Sequence, residues 1–175
     1  MTRIRSEQTA TEIRSESARL VDLSSRVMTG DPWHAGNVED LLADVTVREA
    51  VARPLPGVHS IWEIVLHMTG WVNEVERRLS GHPAGLPADG DWPRVGRPTA
   101  ARWQAARAAL KTAHRRLERR ITRLSDDALI TPVSDPRNRV TGTGLSRDVT
   151  AHGAVHHTVY HAGQIAIIKR ALRTR

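Results

Sequence analysis

His152-Gly-Ala-Val-His156-His157-Thr-Val-Tyr-His161-Ala-Gly-Gln164-Ile165-Ala-Ile167-Ile168-Lys169 holds four of the chain's nine histidines in ten residues. An apolar run follows directly, and no proline occurs after Pro136. The stretch predicts one long helix from about residue 145 to 172, not a solvated histidine tail. Side chains four apart stack on one helix face, so a His-x-x-x-His pair can offer two imidazoles to one metal ion. Two such pairs are present, His152 with His156 and His157 with His161. At about 100° per residue they point in different directions and cannot both face one core. The His157/His161 face continues through Thr150, Gly153, Ala154, Gln164, Ile165 and Ile168, small beside the histidines and apolar below them. The other face carries Asp148, Val149, Tyr160 and Ile167. The contrast favours His157/His161 as the inward pair. A lone pair of helix histidines is more often surface decoration or a satisfied core contact, so spacing alone leaves both readings open.

At 175 residues the chain is expected to be a single domain, residues 1–175, large enough to bury a core. It has no cysteine, which excludes disulfides, thiolate ligands and a cysteine nucleophile. Any metal site must then use His, Asp, Glu and water. Met1 to Glu16 is polar and charged, unlike a signal peptide, and no apolar run nears the roughly 20 residues of a membrane span. A cytoplasmic protein with no membrane contact is expected. The net charge of +7 comes almost entirely from arginine. With abundant alanine and no phenylalanine, this reads as the coding bias of a GC-rich bacterial genome. A basic chain permits nucleic-acid binding without establishing it.

Ile13, Leu20, Leu23 and Val27 recur at helical spacing within residues 4–29, and Gly30-Asp31-Pro32 closes that segment. Asn37 and Thr46 are N-caps for short helices reaching Leu42 and Val51. Ser60 with Glu63 reads as a capping box opening a helix from Ile61 to Leu79. Its stripe is Ile61, Ile64, Val65, Met68, Val72 and Val75. His67 interrupts this apolar segment, and a lone histidine there is ordinarily a hydrogen-bonded core residue. Residues 81–98 form a long Pro- and Gly-rich loop, long enough to suggest a functional role such as a lid. Thr99 caps a third long helix, expected from Ala100 to Leu124, with Leu110, Leu117 and Leu124 at seven-residue spacing and Trp103, Ala106, Ala113 and Ile121 between them. Pro132 to Gly144 is a second irregular segment. Four long amphipathic helices and no convincing strand imply an all-α four-helix bundle, whose metal sites are built from facing helices. His67, His157 and His161 make a plausible trio.

Ser60-Ile-Trp-Glu-Ile-Val-Leu-His67-Met-Thr-Gly-Trp71 resembles the second-helix motif of the DinB-like (YfiT-like) superfamily. His157-Thr-Val-Tyr-His161-Ala-Gly-Gln164-Ile165 resembles its last-helix motif, His-x-x-Tyr-His-x-Gly-Gln. Asp91-Trp92-Pro93 and the Pro32-Trp33-His34 and Gly36 region are similar too. The resemblance spans roughly residues 15–172. It implies a four-helix bundle with a crossed connection, one divalent ion held by three histidines, and a homodimer. The ligands it implies are His67, His157 and His161.

Relatives of this kind include small-thiol-dependent transferases (mycothiol or bacillithiol type), metal-dependent hydrolases and damage-inducible proteins. Three histidines leave at least one position on the ion open. That position can acidify water for hydrolysis or hold a borrowed thiol as the nucleophile. The expected function is a metal-dependent S-transferase, with a metal-dependent hydrolase or a non-catalytic metal-binding protein as alternatives. The expected partners are a small-molecule substrate, a thiol co-substrate and Zn, Ni, Fe or Co, which affinity order does not separate. Glu63, Glu74, Tyr160 and Gln164 are candidates for supporting the ligands, Glu63 with a capping role as the plainer reading. Trp33, His34, Trp71 and Trp92 are candidates for walling a substrate pocket. The arginine-rich third helix carries one aromatic and no DNA-reading motif, so it reads as a solvated face rather than a nucleic-acid site.

Overall fold

Seven helices form among the described residues, which in this computed structural model are 15–34, 36–136 and 145–174. Four are long: α1 (Glu16–Met28), α4 (Ile61–Leu79), α5 (Ala100–Ile121) and α7 (Arg147–Arg173). Three short ones, α2 (Val38–Ala43), α3 (Val47–Val51) and α6 (Asp126–Leu129), lie in the connections. The described residues form no strand, only an isolated bridge between Pro132 and Ser146. None of the helices is long and apolar enough to cross a membrane.

A hydroxyl or amide side chain opens each helix. Ser15, Asn37, Thr46, Ser60, Thr99, Ser125 and Ser146 each accept a hydrogen bond from a first-turn backbone N–H, which satisfies a donor the helix cannot pair itself. Thr46 with Glu49 and Ser60 with Glu63 complete full capping boxes. The start of the first expected helix, with Ile13, lies outside the described residues, as does most of the irregular segment ending at Gly144. The third long helix was expected to reach Leu124 but stops at Ile121. Tighter turns link Arg123 to Arg120 and Leu124 to Ile121, and Ser125 then caps α6.

Helices α1 and α4 each pack against α5 and α7 rather than mainly against one another. These two consecutive long helices therefore stand at diagonal corners. The whole expected stripe of α4 is buried; its first half, Ile61, Ile64, Val65 and Met68, meets Leu110, Trp103, Ile165 and Ile168 in one core cluster. Trp62 and Trp103 meet there with ring centroids 5.2 Å apart, and the Trp103 indole N–H donates to the Val45 carbonyl at 2.9 Å. A second cluster joins Leu20, Val72, Leu117, Ile121 and Ala154. Leu23, one of the apolar residues at helical spacing, is exposed, and the buried stripe of α1 runs through Leu20, Ser24, Val27 and Met28. The last turns of α7 are tied to the corner between α2 and α3. Lys169 reaches Asp44 at 2.5 Å and the Leu41 carbonyl at 2.7 Å, while Arg173 reaches Asp44 at 2.7 Å and Glu49 at 2.9 Å.

Candidate metal centre

His67 lies on the buried face of α4, one residue from Met68 and two from Val65, so the packing that buries the stripe also turns its ring inward. Opposite it, α7 presents His157 and His161 from successive turns. His67 Nε2 and His161 Nε2 each lie 3.0 Å from His157 Nε2. These three histidines are a group whose ligand atoms all fall within 4.8 Å of one another. His67 and His161 are 5% and 4% exposed, so solvent reaches the cluster only from the side of His157.

The outer nitrogens fix which atoms face inward. His67 Nδ1 lies 2.6 Å from the Asp91 carbonyl oxygen, which can only accept, so Nδ1 carries the proton and Nε2 presents a lone pair. His161 Nδ1 likewise donates to Gln164 Oε1 at 2.7 Å. Two lone pairs thus converge on His157 Nε2, which can donate one proton at most. Three such nitrogens without a cation would oppose at least two lone pairs. Two nitrogens on one ion at roughly 2.0–2.1 Å would sit about 2.9–3.4 Å apart, and the observed separations fall in that range. The donor set therefore fits a divalent ion. Burial, and then the neighbouring histidines, push His157 down to about 4. Burial also lowers His161, partly offset by Gln164. Both rings are neutral near pH 7, the form in which imidazole binds metal.

The loop after α4 supplies the outer wall, and Glu74 fastens it. This buried carboxylate accepts from Arg77 Nε at 2.8 Å, Arg78 Nε at 2.9 Å and the Gly85 N–H at 2.7 Å. Burial would raise its pKa, but the Arg77 and Arg78 guanidinium groups and the Gly85 N–H outweigh that and hold it below the ordinary range. Gly70 lets the loop approach: a Cβ there would stand 3.1 Å from the Pro87 ring. Gly90, at φ 82°, turns the chain so that Asp91 faces α4. The Asp91 carboxylate accepts from the Trp71 indole at 2.7 Å. Trp92 lies flat between two histidines, 3.9 Å from His67 and 3.6 Å from His59 by ring centroids. A cavity of about 510 Å³ opens between α4 and α7, with His67, His157 and Asp91 at one end.

A family model described as the DinB superfamily matches residues 33–165. The chain belongs to the DinB superfamily. Comparison with curated proteins and with solved structures finds no match. As a DinB-superfamily member, the chain carries a histidine cluster able to bind a metal ion on the two helices whose motifs resemble the family's.

The remaining candidates divide. Gln164 orients His161, and Tyr160 is exposed, its ring edge against His161 at 5.0 Å. Trp71 lines the cavity, and Trp92 buttresses His67 from behind. Trp33 and His34 do not line the cavity, and Trp33 is 100% exposed. Glu63 is taken up by its capping box and by Arg53, and Glu74 by the loop, so neither carboxylate touches a histidine of the cluster. His114 is buried against Thr158, His152 faces Asp148 and Glu16, and His156 is exposed; none lines the cavity. Sequence reasoning missed Asp91 and His59 as parts of the site. Asp91 had a signal, since it stands beside Trp92 in a stretch that resembles the family.

Proposed function

We infer that this DinB-superfamily chain is a divalent-metal-dependent enzyme that transfers a small thiol to a second substrate. His67, His157 and His161 would hold the ion. The observation that carries the reading is the convergence of three Nε2 atoms at the end of an open cavity. No carboxylate or further histidine joins that group among the described residues, so the donor set is of the open kind used in catalysis rather than the closed, four-ligand structural kind. When bound, the ion supplies a Lewis acid that draws the proton from a thiol near neutral pH. The protein's own part is positional. Asp91 and Gln164 hold two rings in the ligand tautomer, Trp92 fixes the plane of His67, and the cavity leaves room for a second reactant beside the cluster. The absence of cysteine from the chain suits a thiol brought from solution.

The test is metal analysis of the purified protein followed by S-transfer with small thiols. One equivalent of a divalent ion, lost in His161→Ala together with transfer, is the expected result. Helix content should survive, because Leu, Ile and Val packing holds the bundle. Transfer that persists in a metal-free protein would refute the reading. Turnover of an ester without any thiol would assign the chain to hydrolysis instead.

A further inference from the structure

The cavity is a trough whose middle offers little to a polar ligand. It runs between antiparallel α4 and α7, from the histidines to Arg78 and Leu145. Along α4 that is about 16 Å of helix axis. Trp71, Val72 and Val75 form one wall, and Val149, Gly153 and Ala154 the other. The hydrogen-bonding side chains along it are engaged elsewhere. The Trp71 indole donates to Asp91 at 2.7 Å, and the Thr150 hydroxyl donates to the Ser146 carbonyl at 2.8 Å. Arg78 is held by Glu74 and by the Gly85 carbonyl. A hydroxyl or amide laid there gives up water for few partners, whereas apolar carbon gains by leaving water. Gly153 stands one turn before His157, and a Cβ on it would meet nothing within 4 Å. Its missing side chain widens the trough where a ligand must pass to reach the histidines.

We propose that the trough binds the apolar part of an elongated alkyl- or aryl-bearing substrate whose donor group reaches the histidine cluster, with Gly153 setting the width it accepts. The donor end rests on the metal reading above; recognition of the apolar part does not. A sugar-like, polyhydroxylated molecule is a poor occupant of the trough.

Straight-chain alkyl hydroxamates of increasing length, titrated calorimetrically, test this. They are added to zinc-loaded wild type, to zinc-loaded Gly153→Ala and Gly153→Leu, and to metal-free His161→Ala. Affinity should rise by about fourfold per methylene until the chain fills the trough, in the loaded wild type and in the metal-free variant alike. Gly153→Ala should lower that slope and Gly153→Leu should flatten it, both with wild-type zinc affinity and full helix content, since leaving glycine raises helix propensity. A flat slope in loaded wild type, or an unchanged slope in Gly153→Leu, overturns the proposal while zinc retention leaves the metal reading standing. Failure to retain zinc with the slope intact does the reverse: the metal reading falls and the trough stands.

Discussion

His114 should make the protein sensitive to acid, and the size of the effect follows from its burial. The side chain is 1% exposed between α5 and α7. Among the described residues its buried Nδ1 has no hydrogen-bond partner, and Nε2 meets the Thr158 hydroxyl at 3.4 Å. Burial pushes its pKa down to about 4, against about 6.5 for an open histidine. The unfolded chain therefore takes up this proton at a higher pH than the folded one. The stability is intact above about pH 6.5, falls as pH drops through the window, and is lower by about 3 kcal/mol near pH 4, where the loss levels off. His114→Leu removes the titrating group and the unpaired nitrogen together, so near pH 7 it should be close to neutral or mildly stabilising. Urea unfolding of both proteins from pH 7.5 to 4 checks this. Carboxylates common to both, Glu118 among them, cancel in the difference. Wild type should lose about 3 kcal/mol relative to the variant across the window. Parallel stability curves would refute the reasoning.

Gln164→Leu should weaken metal binding about 10–100-fold without changing helix content, because His161 loses the acceptor that fixes its tautomer; competition against a chelating dye measures it. Glu74→Gln leaves Arg77, Arg78 and the Gly85 N–H sharing a weaker acceptor, and should cost roughly 3–5 kcal/mol in urea unfolding. Hydrogen exchange should also quicken first in residues 84–92. Replacing Arg115, Arg119 and Arg123 by Gln should move stability by no more than about 0.5 kcal/mol and leave transfer unchanged, since among the described residues none of the three side chains makes a hydrogen bond of the kind Arg116 and Arg120 make to Asn73 and Glu76. Loss of function there, with steep salt dependence of DNA binding, would favour a nucleic-acid role.

The helices were legible because their signals are local. Ser60 with Glu63 announces the start of α4, and the apolar spacing from Ile61 to Val75 fixes which face is buried. The histidine trio was legible for a different reason: two of its members are four residues apart, and the resemblance supplied the third. Contacts made across the loop were not readable. Asp91 reaches His67 across 24 residues of chain, through a close approach at Gly70 and a carboxylate tie at Glu74 that no periodicity encodes. His59 joins by stacking on Trp92. Trp33 failed for the converse reason. An aromatic in a turn signals a wall only when something packs behind it, and Trp33 is fully exposed. The three residues by which α5 fell short reflect competition between continuing one helix and starting the next at Ser125, a choice that spacing does not rank.

The ties at the end of α7 act as an alignment mark for the cluster. Two of the three histidines ride on one rigid rod, so sliding that rod by a single residue would swing both rings through about 100° and shift them by about 1.5 Å. Apolar packing between smooth helix faces resists such a slip only softly. Lys169 and Arg173, anchored on Asp44 and Glu49, set a discrete stop, because each cation finds its carboxylate at one rotation and one height. Arg173 lies about 18 Å along the axis from His161, yet it helps decide where that ring's nitrogen ends up. Exposed ion pairs of this sort add little to stability. Their worth here is as a gauge, which predicts that weakening them would blur the geometry of the cluster well before it loosened the fold.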